Sequence, residues 1–155
     1  MDLYKILSEC RLCPRECGVD RLSGETGVCG AGAKARIARA DLHFWEEPGI
    51  SGETGSGAVF FSNCTLRCEL QDKGANNINL VTPTHYIPQL VSALDNAKKR
   101  GLNLPVVYNC GGYEKAETLK LLDGYVDVYL PDMKYYSDKY AKRYSGAKDY
   151  FKTAS

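Results

Sequence analysis

An α/β fold built on a parallel sheet is what this sequence predicts, and three observations predict it. Short, mostly apolar segments recur at residues 58–62, 77–81, 105–109 and 126–130, as buried parallel strands do. Between the second and third, Ile87, Leu90, Val91, Leu94 and Ala97 repeat at helical spacing. After every strand comes a polar cluster: Cys64 and Cys68, then 82–85, then 109–113, then Asp132 and Lys134. In parallel α/β folds the carboxyl ends of the strands share one rim where active sites are built.

Taken in order, residues 2–8 suit a short helix. Residues 10–32 are rich in Cys, Gly and Arg, with too few periodic apolar residues to fold without a ligand to organise them. Residues 34–45 read as extended, and Glu47-Pro48-Gly49 and Ser51-Gly52 interrupt them. The chain therefore divides into a Cys-rich metal-binding segment at 1–33, a linker or hairpin at 34–56 and an α/β core at 57–155. In the core helix Pro88 suits the first turn, Lys98, Lys99 and Arg100 the negative end, and Gly101 the cap. A second stripe, Ala116, Leu119 and Leu122, closes at Gly124. A further helix is expected at 137–144, and another begins near 149. One connection is abnormal. Only residues 64–76 join the first two strands, and a parallel crossover with its helix takes at least about 10–12 residues. The first helix is therefore expected to be stunted or missing.

Lys+Arg 20 against Asp+Glu 19 gives a net charge of +1 over 155 residues, with the signs interspersed, so no field steers the chain to nucleic acid or lipid. The sequence shows neither a leader pattern nor an apolar run of spanning length, and the expectation is a soluble, cytoplasmic protein without a membrane or nucleic-acid partner. In a reducing compartment the seven cysteines read as thiolates held for metal rather than as disulfides. Cys10, Cys13, Cys17 and Cys29 offer four thiolates, for zinc or for an auxiliary iron–sulfur cluster. Cys64 and Cys68 offer two more from one loop, as iron–sulfur sites do, the alternative being two inert buried thiols.

Several stretches in order carry a family resemblance: Cys10 to Cys17, His43-Phe44-Trp45-Glu46-Glu47-Pro48, Gly57 to Cys68, Asn77 to His85, Tyr108 to Tyr113 and Asp127 to Lys134. Together they resemble a radical S-adenosylmethionine enzyme of the pyruvate formate-lyase-activating type. The resemblance implies an incomplete parallel (β/α) partial barrel. It also implies a [4Fe-4S] cluster and S-adenosylmethionine as cofactors, reductive cleavage to a 5′-deoxyadenosyl radical, and a glycyl-radical enzyme or another protein as substrate. Cys64 and Cys68 match the first two cluster ligands. Asn109 and Gly111 match a loop that approaches the cofactor, which is otherwise an ordinary strand-to-helix turn. Asp132 and Lys134 match a pair facing cofactor or substrate, which is otherwise a simple surface ion pair. Departures accompany the match. The family's third cysteine would fall at residue 71, which is Gln71, and Thr82-Pro83-Thr84 stands where relatives often carry a Gly-Gly-Glu that binds the cofactor's amino group. Most of the first helix and the later strands of such a barrel are missing, so a non-catalytic metal-binding module or an inactive fragment is the alternative reading. Cys110 is the one other thiol placed to replace the lost ligand, and His85, without a partner histidine, reads as structural.

Overall fold

The structure, a computed structural model, describes residues 2–45, 47–61 and 69–155, the side chains of residues 69 and 70 excepted. Among these residues five strands, β1 (Arg39–His43), β2 (Ser56–Phe60), β3 (Ile78–Val81), β4 (Val106–Cys110) and β5 (Val128–Pro131), form one sheet in chain order. β1 returns as an antiparallel hairpin on β2, so the segment expected as a linker or hairpin supplies a strand. From β2 to β5 every pairing is parallel. The fold is thus α/β with a mostly parallel sheet, and its strands stand within about two residues of the positions read from the sequence.

Among the described residues six α-helical segments accompany the sheet: α1 (Pro48–Ser51), α2 (Glu69–Asp72), α3 (Ile87–Lys99), α4 (Ala116–Leu119), α5 (Asp138–Ser145) and α6 (Tyr150–Ala154). α3 is the main packing helix. Its Ile87, Leu90, Val91 and Leu94 are buried against Val59, Leu80, Val106 and Tyr108, each such side chain contributing roughly 1.5–3 kcal/mol by leaving water. Pro88 opens it, and Gly101 turns the chain away at φ +97°. The expected helix near the start is a 3-10 turn, Leu3–Glu9, capped by the Asp2 carboxylate accepting from the Tyr4 N–H. The stripe from Ala116 to Leu122 likewise splits into α4 and a 3-10 turn, Lys120–Leu122.

The crossover between β2 and β3 contains α2, a single turn, followed by Gly74 at φ +81°. Gln71 lies at the amino end of the strands, where its side chain donates to the Gly101 carbonyl at 3.4 Å and accepts from the Asn103 N–H at 3.2 Å. It therefore ends the crossover, far from the rim, and does not stand in for a lost ligand.

β5 corrects one expectation. Val128 and Tyr129 are 40 % and 41 % exposed, so this strand is an open edge rather than a buried one, and Pro131, lacking a donor, suits an edge. The sheet has two unlike faces. Val59, Leu80, Val106, Tyr108 and Cys110 face α3. By alternation, Ala58, Asn79, Val107 and Val128 share the opposite face and one cross-strand row. Among the described residues no helix is long and apolar enough to cross a membrane.

Candidate functional site

Register brings the sequence-predicted residues together. Phe60 pairs with Val81, Val81 with Asn109, Asn109 with Leu130, and Cys110 with Pro131, so the segments that follow these strands leave side by side. Backbone bonds carry the alignment one step further, from the Thr82 N–H to the Asn109 carbonyl and from the Asp132 N–H to the Cys110 carbonyl, each at 2.8 Å. Asn109, Gly111, Asp132 and Lys134 thus gather on one rim with His85. Cys64 and Cys68 fall outside the described residues, in the segment that follows this end of β2.

The loop after β3 holds a strained backbone. Thr82 has φ +51°, which a β-branched residue adopts only where its surroundings impose it. Next to it, the Thr84 hydroxyl donates to Glu114 Oε1 at 2.9 Å and accepts from the Tyr108 hydroxyl at 3.0 Å. Glu114 was not singled out from the sequence, where it is one acidic residue after a Gly-Gly turn. Only the adjacency of the loops after β3 and β4 reveals it as the carboxylate beside Thr84.

Cys110 ends β4, buried, and burial pushes its thiol up from 9.0 to about 12, with the Glu114 carboxylate acting in the same direction. It is a packed thiol of the strand, at the rim end of β4. Gly112 has a packing role. A Cβ there would stand 3.1 Å from Ala154 Cβ and 3.3 Å from the Tyr150 hydroxyl, so this glycine makes room for α6. Gly111 has open surroundings, with Lys134 Cγ 3.9 Å from its virtual Cβ. The Tyr150 hydroxyl donates to the Gly111 carbonyl at 2.5 Å and accepts from the Lys134 N–H at 2.7 Å, clamping the loops after β4 and β5. Lys134 Nζ meets Asp132 Oδ2 at 2.5 Å, both side chains 56 % exposed. A pair this exposed contributes little stability and leaves both charges available to a ligand.

The Cys-rich segment covers part of this rim. Arg21, 1 % exposed, organises it: its guanidinium donates to the Gly32 carbonyl at 2.6 and 3.1 Å and to the His85 carbonyl at 2.7 Å, and approaches Cys10 Sγ at 3.6 Å. Leu7, Leu12 and Ala31 are buried around it. Arg15 donates to the Ser145 carbonyl at 2.6 Å, near the negative end of α5. Glu16 pairs with Lys115, which holds the Glu16 carboxyl below its usual range. His85 lies under this cover, its ring 4.3 Å from Tyr86; burial and then the Arg21 charge hold its imidazole below the usual value. It has the surroundings of a structural residue.

Cys10, Cys13 and Cys17 are half-buried and Cys29 exposed, all free thiols. Burial raises the Cys13 thiol, and Cys29, Cys17 and Cys10 are close enough to act in the same direction. Among the described residues no set of three or more His, Cys, Asp or Glu side chains lies where it could hold one metal ion. The four thiols share a neighbourhood without forming a closed tetrahedral set.

Two cysteines follow β2 where the resemblance has three. Gln71 is at the other end of the sheet, and Cys110 packs, buried, at the end of β4. The rim also offers charges of both signs: Asp132 and Lys134 after β5, and Glu114 after β4, the neighbouring strand.

No protein-family model matches the chain, and no solved structure matches it. The chain is similar to an uncharacterized protein of Methanocaldococcus jannaschii, 27 % identical, over 94 % of this chain and 51 % of that protein. It therefore spans about half the length of that relative. The match runs over 178 residues against 155 here, so the relative carries within it residues that have no counterpart in this chain.

Proposed function

We propose that this chain is a radical S-adenosylmethionine-type protein resembling pyruvate formate-lyase-activating enzymes. In this reading its rim binds S-adenosylmethionine while its iron–sulfur site, one thiolate short, does not sustain radical generation. The observation that carries the proposal is the shared rim. Residues 82–85, 109–114 and 132–134 follow the aligned ends of β3, β4 and β5, next to the end of β2, after which Cys64 and Cys68 come in the sequence. Two further features support it. Thr82 keeps a backbone that glycine favours, where the resemblance places the first glycine of Gly-Gly-Glu. Glu114, bonded to Thr84, brings a carboxylate from the next loop to where that motif would have supplied one. The longer matched span of the relative fits a crossover shortened here between β2 and β3. A [4Fe-4S] cluster, when complete, supplies the electron for reductive cleavage. Here Cys64 and Cys68 would be two of its ligands, and a glycyl-radical enzyme or another protein its target.

Isothermal titration of the anaerobic protein with S-adenosylmethionine tests the binding half. Expected is saturable binding, weakened at least about tenfold by Glu114→Gln, a loss in keeping with a charge-assisted contact. Unaltered binding in that variant, or none in the native chain, overturns the assignment. For the catalytic half, dithionite-reduced protein is expected to release no 5′-deoxyadenosine, and steady release would contradict the missing-ligand account.

A second reading, a non-catalytic metal module at Cys10, Cys13, Cys17 and Cys29, is favoured by the mutual proximity of these thiols and by their fixation on the core through Arg21. Zinc and an auxiliary iron–sulfur cluster are its two candidates. Metal retained in Cys64→Ala and lost in Cys13→Ala would select it.

A further inference from the structure

The Tyr108 side chain is fully buried, in the core cluster with Val59, Leu80 and Leu90, and the Tyr129 ring lies against it at 5.6 Å. Its hydroxyl still needs an acceptor, because a buried O–H without one keeps the whole cost of its desolvation. Among the described residues that acceptor is the Thr84 hydroxyl, at 3.0 Å. Thr84, itself 7 % exposed, donates in turn to Glu114 Oε1 at 2.9 Å. Three side chains, from β4, from the turn after β3 and from the loop after β4, thus form one line from the core to the rim.

The direction of this line is set by its ends. A carboxylate only accepts, so the single Thr84 proton goes to Glu114 and the Thr84 oxygen is left to accept. Tyr108 must then donate, and burial holds its phenol protonated, well above its ordinary value. Each bond polarises the next, so a hydroxyl that is itself donated to holds the carboxylate more firmly. The base of the line is fixed as well: Tyr108 sits in the middle of β4, and Thr84 opens the 3-10 turn Thr84–Tyr86 directly after Pro83. Glu114 has no such support of its own. It lies half-buried in the loop before α4, and no lysine or arginine of the described residues forms an ion pair with it. A free glutamate side chain samples many rotamers, and ordering it when a ligand arrives costs affinity. Here the order precedes the ligand, and the charge is left for it.

We infer that Thr84 and Tyr108 are positioning residues, holding Glu114 at the rim for a cationic group, the ammonium of S-adenosylmethionine. The inference rests on the rim being a site for that molecule. Thr84 and Tyr108 act through Glu114 rather than on the ligand. Neutral donors suit the task, since a lysine or arginine in their place would orient the carboxylate and neutralise it at once.

The test is calorimetric titration of the full chain with S-adenosylmethionine, read together with urea unfolding and with the Hα–Hβ couplings of Glu114 by NMR. Thr84→Val alone strands the Tyr108 hydroxyl, so the decisive variant is Thr84→Val/Tyr108→Phe, which removes both hydroxyls and leaves neither unpaired. Its urea midpoint should stay close to native, while affinity falls at least about fivefold and the Glu114 couplings pass from those of one rotamer to a rotamer average. Thr84→Ser, which keeps the donor, should bind within about twofold of the native chain. In a Glu114→Ala background the double substitution should change affinity no further. A purely structural tie would instead lower the midpoint and weaken binding equally with and without Glu114. The inference is overturned by native affinity in Thr84→Val/Tyr108→Phe, by an equal loss in the Glu114→Ala background, or by couplings already averaged in the native protein. If the native chain binds no S-adenosylmethionine, the rim assignment falls and the couplings decide alone: one rotamer giving way to an average in the double variant upholds the positioning role, and unchanged couplings overturn it.

Discussion

The two ends of the same five strands are built by different means. At the amino end the polar side chains close over 21 to 27 positions, between one strand unit and the next: Asn77 with Ser56 and Ile50, Asn76 with Thr54 and Ser51, Asp127 with the Val106 N–H at 2.8 Å. At the carboxyl end the ties come from far away in sequence. Arg21 reaches His85 across 64 positions, Glu16 reaches Lys115 across 99, and Arg15 reaches Ser145 across 130. The first end is finished by bonds between consecutive strand units, whereas the second is assembled from both halves of the chain and keeps exposed charges at Asp132 and Lys134. In other parallel α/β proteins the carboxyl ends of the strands are where sites are built, and the opposite ends serve stability.

Breaking the Arg21 tie should separate the two ends most sharply. Arg21→Leu removes a buried guanidinium and strands two carbonyls, and should lower stability by about 3 kcal/mol in urea unfolding. Alkylation of Cys10 and Cys13 in that variant should accelerate, because the segment would leave the rim. A variant as stable as the native chain would mean that the Cys-rich segment is not docked. Tyr150→Phe comes next. It deletes the hydroxyl shared by Gly111 and Lys134, and a cost of about 2 kcal/mol is expected. At the other extreme, Lys134→Ala should change stability by about 0.5 kcal/mol or less, since an exposed pair is screened by solvent, while S-adenosylmethionine affinity falls. A large stability loss there would make the pair structural.

Cys110 sharpens the contrast through pH. Its folded thiol titrates near 12 against 9.0 ordinarily, so its contribution to stability is fully present below pH 9.0. That contribution is lost as pH rises toward 12, because the unfolded chain ionises first. Urea midpoints measured from pH 8 to 10.5 should fall less in Cys110→Val than in the native chain. At pH 8 the native Cys110 should also be the last of the described thiols to react with iodoacetamide, and the exposed Cys29 among the first.

Much of this fold was legible in the sequence because its signals are periodic. The apolar segments gave the parallel strands, the stripe from Ile87 to Leu94 gave α3, and the short span between residues 64 and 76 announced a crossover with little helix. The rim was legible as well, since parallel strands put their carboxyl ends together whatever the sequence between. What stayed hidden depends on tertiary partners. A single arginine in a glycine-rich loop looks solvated until Gly32 and His85 are seen around it. Glu114 acquires meaning only beside Thr84, and the bond from Tyr108 to Thr84 cannot be read from β4 alone. Gln71 shows the same limit: counting from Cys68 puts it at a ligand position, whereas the shortened crossover carries it to the opposite end of the sheet.

Iron and acid-labile sulfide counted per chain after anaerobic reconstitution test the central claim most directly, with the native protein compared to Cys64→Ala/Cys68→Ala and to Cys10→Ala/Cys13→Ala. The account predicts that the 64/68 pair removes a distinct portion of the iron, below four per chain in the native protein, whatever the 10/13 pair does. Iron unchanged by loss of Cys64 and Cys68 would contradict it.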